Sequence, residues 1–492
     1  MNQIWRKKPI SAFEADMKKS ELKRVLGKWS LTAIGIGAII GGGIFVLTGT
    51  AAHYHAGPAL ALSFVVAGIA CIFAALCYAE FAAMLPVEGS AYAYAYGTVG
   101  ELFAWIIGWG LILEYAMGAM TVAVSWSGYF NKLLHLFGVT LPLYLTNDPF
   151  TAKGLAINLP AFIIVWLVTA ILVKGTKEAA SANNIIVIMK VSVVLFIIVV
   201  GAFFINYANW FPFIPPRDFV LDEGKKILIS SNPDTYQMGY GIGGIFSGAA
   251  FIFFAYIGFD AVSTQAGEAI NPKKDMPFAI IASLLICTVL YIAVALVLTG
   301  MMNYKDFTSE ELKAPVAAAF SRVGQTWAVF IITAAATAGL ISVMLVMMLG
   351  QTRVFLGMSK DGLLPKFFRD IHPTFKTPYK NTLLVGAVVS LVAAFTPISL
   401  LGDMTSFGTL FAFAMVCGAV WLLRVREPQL QRDFRVPFLP VIASAGILTN
   451  IFLIINLNPL AIQLAMAWLV IGVVVYFAYS KKNSNLEKAQ HE

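Results

Sequence analysis

The residues in this 492-residue chain best suited to chemistry are charges set where charge is costly. Lys190 lies in Ile185-Ile186-Val187-Ile188-Met189-Lys190-Val191-Ser192-Val193, with aliphatic neighbours at three- and four-residue spacing. Glu114 sits in the middle of another apolar run, three residues before Met117 and therefore on the same helix face. Asp260 follows the run Phe253-Phe254-Ala255-Tyr256-Ile257-Gly258-Phe259. Ionisable groups inside a membrane are expensive, and they mark ion or substrate paths by default. A lysine among aliphatics can bind and release a proton as its surroundings change, or it can be a permanently held structural ammonium. Glu114 is a candidate partner for Lys190, a polar anchor for substrate, or a structural hydrogen-bonding group. Asp260 either stabilises its segment or senses substrate.

A second chemical feature is backbone. Gly35-Ile36-Gly37-Ala38-Ile39-Ile40-Gly41-Gly42-Gly43-Ile44-Phe45 is apolar enough for a membrane but holds three consecutive glycines. Each glycine costs a helix interior about 1 kcal/mol relative to alanine. Ile242-Gly243-Gly244-Ile245-Phe246-Ser247-Gly248 is interrupted in the same way. Irregular backbone is tolerated in lipid only where it is buried or lines a polar cavity. Amides freed at a helix start favour an anion, and carbonyls freed at a helix end favour a cation. A zwitterionic amino acid offers both charges a few ångströms apart.

The elements that must position these groups follow from composition. With 59% hydrophobic and 12% charged residues and a mean hydropathy of +0.80, the chain is a polytopic membrane protein. A span needs about 20 apolar residues. Twelve are expected, starting near Trp29, Ala59, Glu101, Ala156, Asn184, Tyr240, Phe278, Trp327, Thr382, Met404, Phe438 and Pro459. Assigning loops alternately puts 25 of the 34 Lys and Arg on the side of the termini. The positive-inside rule then places both termini in the cytoplasm. The net charge of +8 therefore orients the protein and does not imply nucleic acid. Five spans separate the two glycine-broken runs, so spans one to five and six to ten form a candidate inverted repeat with a site between the broken helices.

The expected organisation is a basic cytoplasmic segment (1–28), a first repeat (29–206), an extracytoplasmic loop (207–239), a second repeat (240–424), spans eleven and twelve (425–480) and a cytoplasmic tail (481–492). The loop 351–381 contains amphipathic turns, Leu363-Leu364-Pro365-Lys366-Phe367-Phe368-Arg369, suited to the cytoplasmic interface. Glu80, near Pro86, reads as solvated at the end of the second span. Cys71, Cys77, Cys287 and Cys417 read as apolar packing residues. His53 and His55 read as interfacial, and no nucleotide loop, metal cluster or nucleophile constellation can be assembled, so no enzyme is expected. The missing Asn-x-Ser/Thr acceptor is compatible with a bacterial inner membrane.

These residues resemble the amino acid–polyamine–organocation superfamily, especially bacterial relatives of cationic amino acid transporters, over nearly the whole chain. The glycine-rich run of the first span carries the likeness. So do Tyr78-Ala79-Glu80-Phe81-Ala82-Ala83-Met84-Leu85-Pro86, Gly89-Ser90-Ala91-Tyr92-Ala93-Tyr94 and Gly267-Glu268-Ala269-Ile270-Asn271-Pro272-Lys273-Lys274-Asp275-Met276-Pro277. The resemblance implies an all-α LeuT-like fold with twelve transmembrane helices and a five-plus-five inverted repeat. It implies that the substrate carboxylate binds at Ile39, Gly42 and Gly43, and the amine at carbonyls around Phe254, Ala255 and Ile257. Met117 and Met344 then line the pocket, and Lys190 occupies the place a sodium ion takes in other members. Relatives often carry Thr or Ala where this chain has Gly42, which leaves substrate preference open. The function expected is proton-coupled amino-acid symport by alternating access, with no cofactor beyond the proton and with amino acid and lipid as partners. An amino-acid or polyamine exchanger and a non-transporting sensor are the alternatives.

Overall fold

The computed structural model describes residues 6–8, 26–84, 90–152, 154–175, 179–222, 225–226, 238–260, 262–263, 269–430 and 432–488. Leu85–Gly89 and Gly267-Glu268 of the motifs above lie outside them. The fold is mostly helical. The first helix, α1 (Lys28–Ile39), stops in mid-membrane sequence at an extended Ile40, and the chain resumes as a helical stretch from Gly43 to Ala56 containing π-turns. Gly57 adopts a left-handed φ of 60°, which folds the chain back, and Pro58 starts the return. The helix α2 (Leu60–Met84) follows. The stretch Gly43–Met84 has 42 residues. At about 1.5 Å per residue it is twice the length of one crossing, and the turn at Gly57 divides it into the outer part of the broken first helix and the separate helix α2.

The remaining long elements are α3 (Ser90–Thr98), α4 (Glu101–Leu136), α5 (Leu159–Lys174), α6 (Ala179–Ala202), α7 (Gly241–Ile252) and α8 (Pro272–Met301). They are followed by α9 (Pro315–Arg322), α10 (Thr326–Lys360), α11 (Tyr379–Phe395), α12 (Ile398–Arg426), α13 (Leu439–Ile455) and α14 (Pro459–Val475). Their starts are punctuated as helix chemistry requires: proline enters in the first turn of α5, α8, α9, α13 and α14. The side chains of Asn158 and Asn458 accept from the amides of Ala161 and Leu460. Among the described residues, six helical stretches are long and apolar enough to cross a membrane, and five shorter apolar helices accompany them. This is a multi-pass membrane protein. Two short helices, α3 and α9, lie between apolar runs where no span is expected.

The core is built by α4 packed along α10 and α12, and by α8 packed along α2 and α1. Aromatic rings fill the space beside the broken segments: Tyr78, Phe253, Phe259 and Phe413 form one group, and Phe64, Tyr256 and Tyr291 another. All are buried. Outside, short antiparallel pairings (Asp218–Phe219 with Met238–Gly239, Leu221–Asp222 with Lys225–Lys226) order the loop before α7.

The face that carries the termini is tied by charge. Glu80 is buried and ion-paired with both Arg424 and Arg432, at 3.3 Å for the latter, and it accepts the Val436 amide at 2.8 Å. The expectation of a solvated Glu80 is thus corrected: two guanidiniums replace water. Residues 6–8 lie across the same face. The Lys8 amide donates to Tyr96 and the Glu101 amide to Arg6, while Arg6 pairs with Glu487 and Lys8 with Asp361. Glu101 itself is buried and accepts from Tyr96, Tyr476 and Ser484. The two ends of the chain are clasped together.

Candidate functional site

The break after α1 and the break after α7 touch. A Cβ on Gly43 would lie 2.3 Å from the Ala255 Cα and 2.9 Å from its amide nitrogen. Real Cβ atoms do not approach that closely, so only glycine permits this contact. The reciprocal contact is at Gly258, whose φ of 122° excludes most residues and whose Cβ would meet the Ala38 carbonyl carbon at 2.7 Å. The two irregular segments therefore lie backbone to backbone, with no side-chain atom beyond an alanine Cβ at either contact.

The first break presents amides. Ile40 is extended (φ −70°, ψ 103°), and Gly42 begins the outer helical stretch. The first amides of that stretch have no intrahelical carbonyl to bind. The carbonyls around them are already engaged. The Ile39 carbonyl accepts the Tyr291 hydroxyl at 2.8 Å, Phe45 accepts Tyr129 at 2.7 Å, and Ile44 accepts Thr48 at 2.8 Å. The second break presents carbonyls. The α7 helix tightens to a 3₁₀ turn over Phe253–Tyr256, and Ile257 is extended (φ −61°, ψ 134°). Amides are engaged here, Phe254 donating to the Ser406 hydroxyl at 3.2 Å and Gly258 to the Asp260 carboxylate at 3.3 Å, while the Phe254 carbonyl also accepts the Ile257 amide at 3.2 Å and the Phe251 carbonyl the Ser406 hydroxyl at 3.3 Å. Donors on one side and acceptors on the other are what a zwitterion needs.

Side chains close the surroundings. Gly42 faces Ser125, with a Cβ there 2.9 Å from its hydroxyl and 3.7 Å from Leu340. Gly41 faces Val343. Met344 is buried on α10, and Met117 is half-buried on α4. Asp260, also buried, caps the second break and accepts from the Tyr115 hydroxyl at 3.4 Å.

Lys190 is fully buried on α6, and its ammonium donates to the Gly37 carbonyl at 2.9 Å, one turn before the first break. Its methylenes pack on Gly339 of α10, and Val187, one turn earlier, packs on Gly37. Lys190 thus joins α6, α10 and α1. The carboxylate of Glu114 is not its partner. Glu114 lies with its backbone against Gly408 of α12, and neither of its buried oxygens has a hydrogen-bond partner among the described residues. The helix-face inference placed Glu114 beside Met117, but only packing could show which neighbouring helix its carboxylate meets.

Sequence reasoning missed Ser125, Tyr129, Tyr291 and Ser406, whose hydroxyls service or face the broken backbone. Their one signal was polarity inside apolar runs, which they share with many hydroxyls that bond only their own helix, such as Thr169 and Thr333. His53 and His55 are not loop residues. They lie in a π-turn (Ala52–Ala56), where His53 meets the Tyr304 carbonyl and His55 meets Ser247 and stacks on Phe251.

With this arrangement of helices and breaks, comparison with known proteins is decisive for class. A model of the amino acid permease family matches residues 26–478. The chain belongs to that family, within the amino acid–polyamine–organocation superfamily. It is 46% identical to the branched-chain amino acid permease BcaP of Bacillus subtilis, over 99% of both chains. It is 43% identical to a methylthioribose transporter of the same organism, over 99% of this chain and all of that one. A cationic amino acid transporter of Arabidopsis thaliana is 35% identical over 87% of this chain and 68% of its own. These are permeases and transporters, not enzymes.

Proposed function

We propose that this chain is a bacterial inner-membrane importer of amino acids with neutral, apolar side chains, working as a proton symporter by alternating access. The close contact of the two breaks carries the proposal, because it sets helix-start amides opposite helix-end carbonyls at one point in the membrane. The substrate carboxylate binds the amides at Gly42 and Gly43 beside Ile39. Its ammonium binds carbonyls of Phe254, Ala255 and Ile257. Met117, Leu340, Val343 and Met344 receive the side chain, and their apolar surface favours an uncharged one. The name of the BcaP relative agrees with this choice.

The helices fall into twelve spans arranged as a LeuT-like five-plus-five inverted repeat plus two, with both termini cytoplasmic. A charged Lys190 holds the Gly37 carbonyl by a charge-assisted bond, about twice as strong as a neutral one. Release of its proton weakens the tie between α6 and the inner half of the first span, which frees that half to move. Substrate and proton thereby leave on the same side.

Purified protein in liposomes should accumulate labelled leucine or valine when an inward proton gradient is imposed, and the Lys190→Met variant should not. Accumulation driven by sodium alone and unaffected by Lys190→Met would defeat the coupling. Counterflow without any dependence on a proton gradient would make the protein an exchanger.

A further inference from the structure

The loop between α10 and α11 takes no part in the site, yet it is built as a rigid platform. Leu363 and Leu364 are buried and anchor its start, and the Ser359 hydroxyl donates to the Pro365 carbonyl at 2.8 Å. The turn Lys366–Arg369 stacks Phe368 on Phe355 of α10 at 4.7 Å. Further on, the His372 amide donates to the Thr377 carbonyl and the His372 Nδ1 accepts the amides of Thr374 and Phe375. Thr377 is tied to the Val173 carbonyl at the end of α5 at 2.7 Å. Lys376 is held in a left-handed conformation with φ 57°.

What the platform exposes is amphipathic. Phe367, Ile371 and Phe375 are each more than 40% exposed. The exposed cations Lys366 and Arg369 flank Phe367, Lys376 follows Phe375, and exposed Lys174 precedes Gly175, where a Cβ would lie 3.9 Å from the Phe375 carbonyl. Asp370, the sole acid in residues 365–380, is occupied by Lys380 at 2.6 Å. The platform continues directly into the exposed apolar face of α11, formed by Leu383, Leu384, Val388 and Leu391. Rings and aliphatics at the end of a lipid-facing helix, bordered by cations that form no ion pair among the described residues, match an acyl–headgroup boundary that carries negative charge.

We propose that residues 365–380, with Lys174, bind the headgroups of anionic phospholipids in the cytoplasmic leaflet, Phe367, Ile371 and Phe375 entering the acyl boundary. The surface pins the α10–α11 corner to the leaflet. The proposal rests on the cytoplasmic placement of this loop given above, but it does not depend on what is transported.

The four native cysteines are buried, so a Phe375→Cys full-length chain can be labelled at that position alone with a bimane fluorophore. The labelled protein is placed in nanodiscs of phosphatidylcholine containing equal fractions of brominated phosphatidylcholine or brominated phosphatidylglycerol. Each Lys or Arg near an anionic surface favours it roughly fivefold. Brominated phosphatidylglycerol should therefore quench at several-fold lower mole fraction than brominated phosphatidylcholine. Adding K366Q, R369Q and K376Q should bring the two lipids to parity, while K366R with K376R should keep the preference. Equal quenching by both lipids without those substitutions, or quenching by neither, would overturn the lipid preference. Labelling of position 375 in intact cells by a membrane-impermeant maleimide would instead overturn the orientation on which the proposal rests.

Discussion

The two broken helices solve the same problem in opposite ways. After α1, hydroxyls of Tyr291, Tyr129 and Thr48 engage carbonyls and leave amides for an incoming group. After α7, Ser406 and Asp260 accept the amides of Phe254 and Gly258, and only the Phe251 carbonyl takes a side-chain hydroxyl, that of Ser406. The polarity of each break is thus set by which backbone groups its neighbours have already claimed, not by the glycines, which both breaks share. A second difference is cover. The outer half of the first break is roofed by the start of α9, where a Cβ on Gly49 would lie 2.2 Å from Pro315, and the turn before α9 leans on α4, where a Cβ on Gly128 would lie 2.5 Å from the Lys313 carbonyl. That roof and the Lys190 tie belong to the first break alone among the described residues, which makes it the segment under control.

The largest expected effect is at the shared contact. Gly43→Val pushes a side chain against backbone that cannot yield, and overpacking of this kind costs on the order of 3 kcal/mol. Labelled amino-acid binding should fall about 100-fold, and normal uptake by this variant would show that the breaks need not touch. Next is Lys190→Met, which removes a charge-assisted bond worth roughly 1.5–3 kcal/mol. Gradient-driven accumulation should drop at least about tenfold while counterflow persists, and equal loss of both would assign Lys190 a structural part only.

Ser406→Ala tests the second break. It leaves the Phe254 amide without its acceptor, so KM should rise roughly fivefold for about 1 kcal/mol. An unchanged KM would mean that this amide does not set the geometry of the carbonyls beside it. Gly42→Thr tests the first in a gentler way, because the Ser125 hydroxyl can rotate away from the new Cβ. A few-fold shift toward smaller substrates is expected, read from a competition series of alanine, valine and leucine, and an unchanged order would remove Gly42 from the pocket.

The smallest effect concerns the roof. Burial disfavours the ionised Glu311 carboxyl, but the Arg322 fork at 2.8 Å and the Thr308 amide and hydroxyl outweigh it. Its proton affinity is held below the usual carboxylate range. A depressed folded-state value gives stability that is fully present above the ordinary carboxylate range and is lost as pH falls through the folded value. The pair is partly solvent-screened, Arg322 being the more exposed member, so its worth is under about 1 kcal/mol. Glu311→Gln should lower the melting temperature slightly at pH 7, and the difference from the unsubstituted protein should shrink as pH falls below the ordinary carboxylate range.

Membrane class, helical architecture and the position of the first break were legible because each is written locally, in runs of apolar residues and in the glycines at Gly41–Gly43. The second break was not, since Gly243, Gly244 and Gly248 lie within the continuous α7 and the helix gives way only at Phe253–Ile257. Helix starts were read several residues late at α8 and α12, since Pro272 and Ile398 begin helices before the apolar run is dense. Lys190 could be seen as an isolated charge, but its acceptor, 153 positions away, could not. Glu80 looked exposed for the same reason, as its partners Arg424 and Arg432 come from the far end of the chain. The hydroxyls that polarise the breaks are legible only once helix packing is known.

The clasp between the termini has a consequence for biosynthesis. Arg6 meets a residue 481 positions later. At about 5–20 residues per second the ribosome delivers that partner roughly 25–100 s after the arm has emerged. All the apolar helices will have been handed to the membrane by then. The Arg6–Glu487 pair is therefore the last of the arm's contacts to form, closing over an arm that already holds Tyr96, Glu101, Asp361 and Glu427.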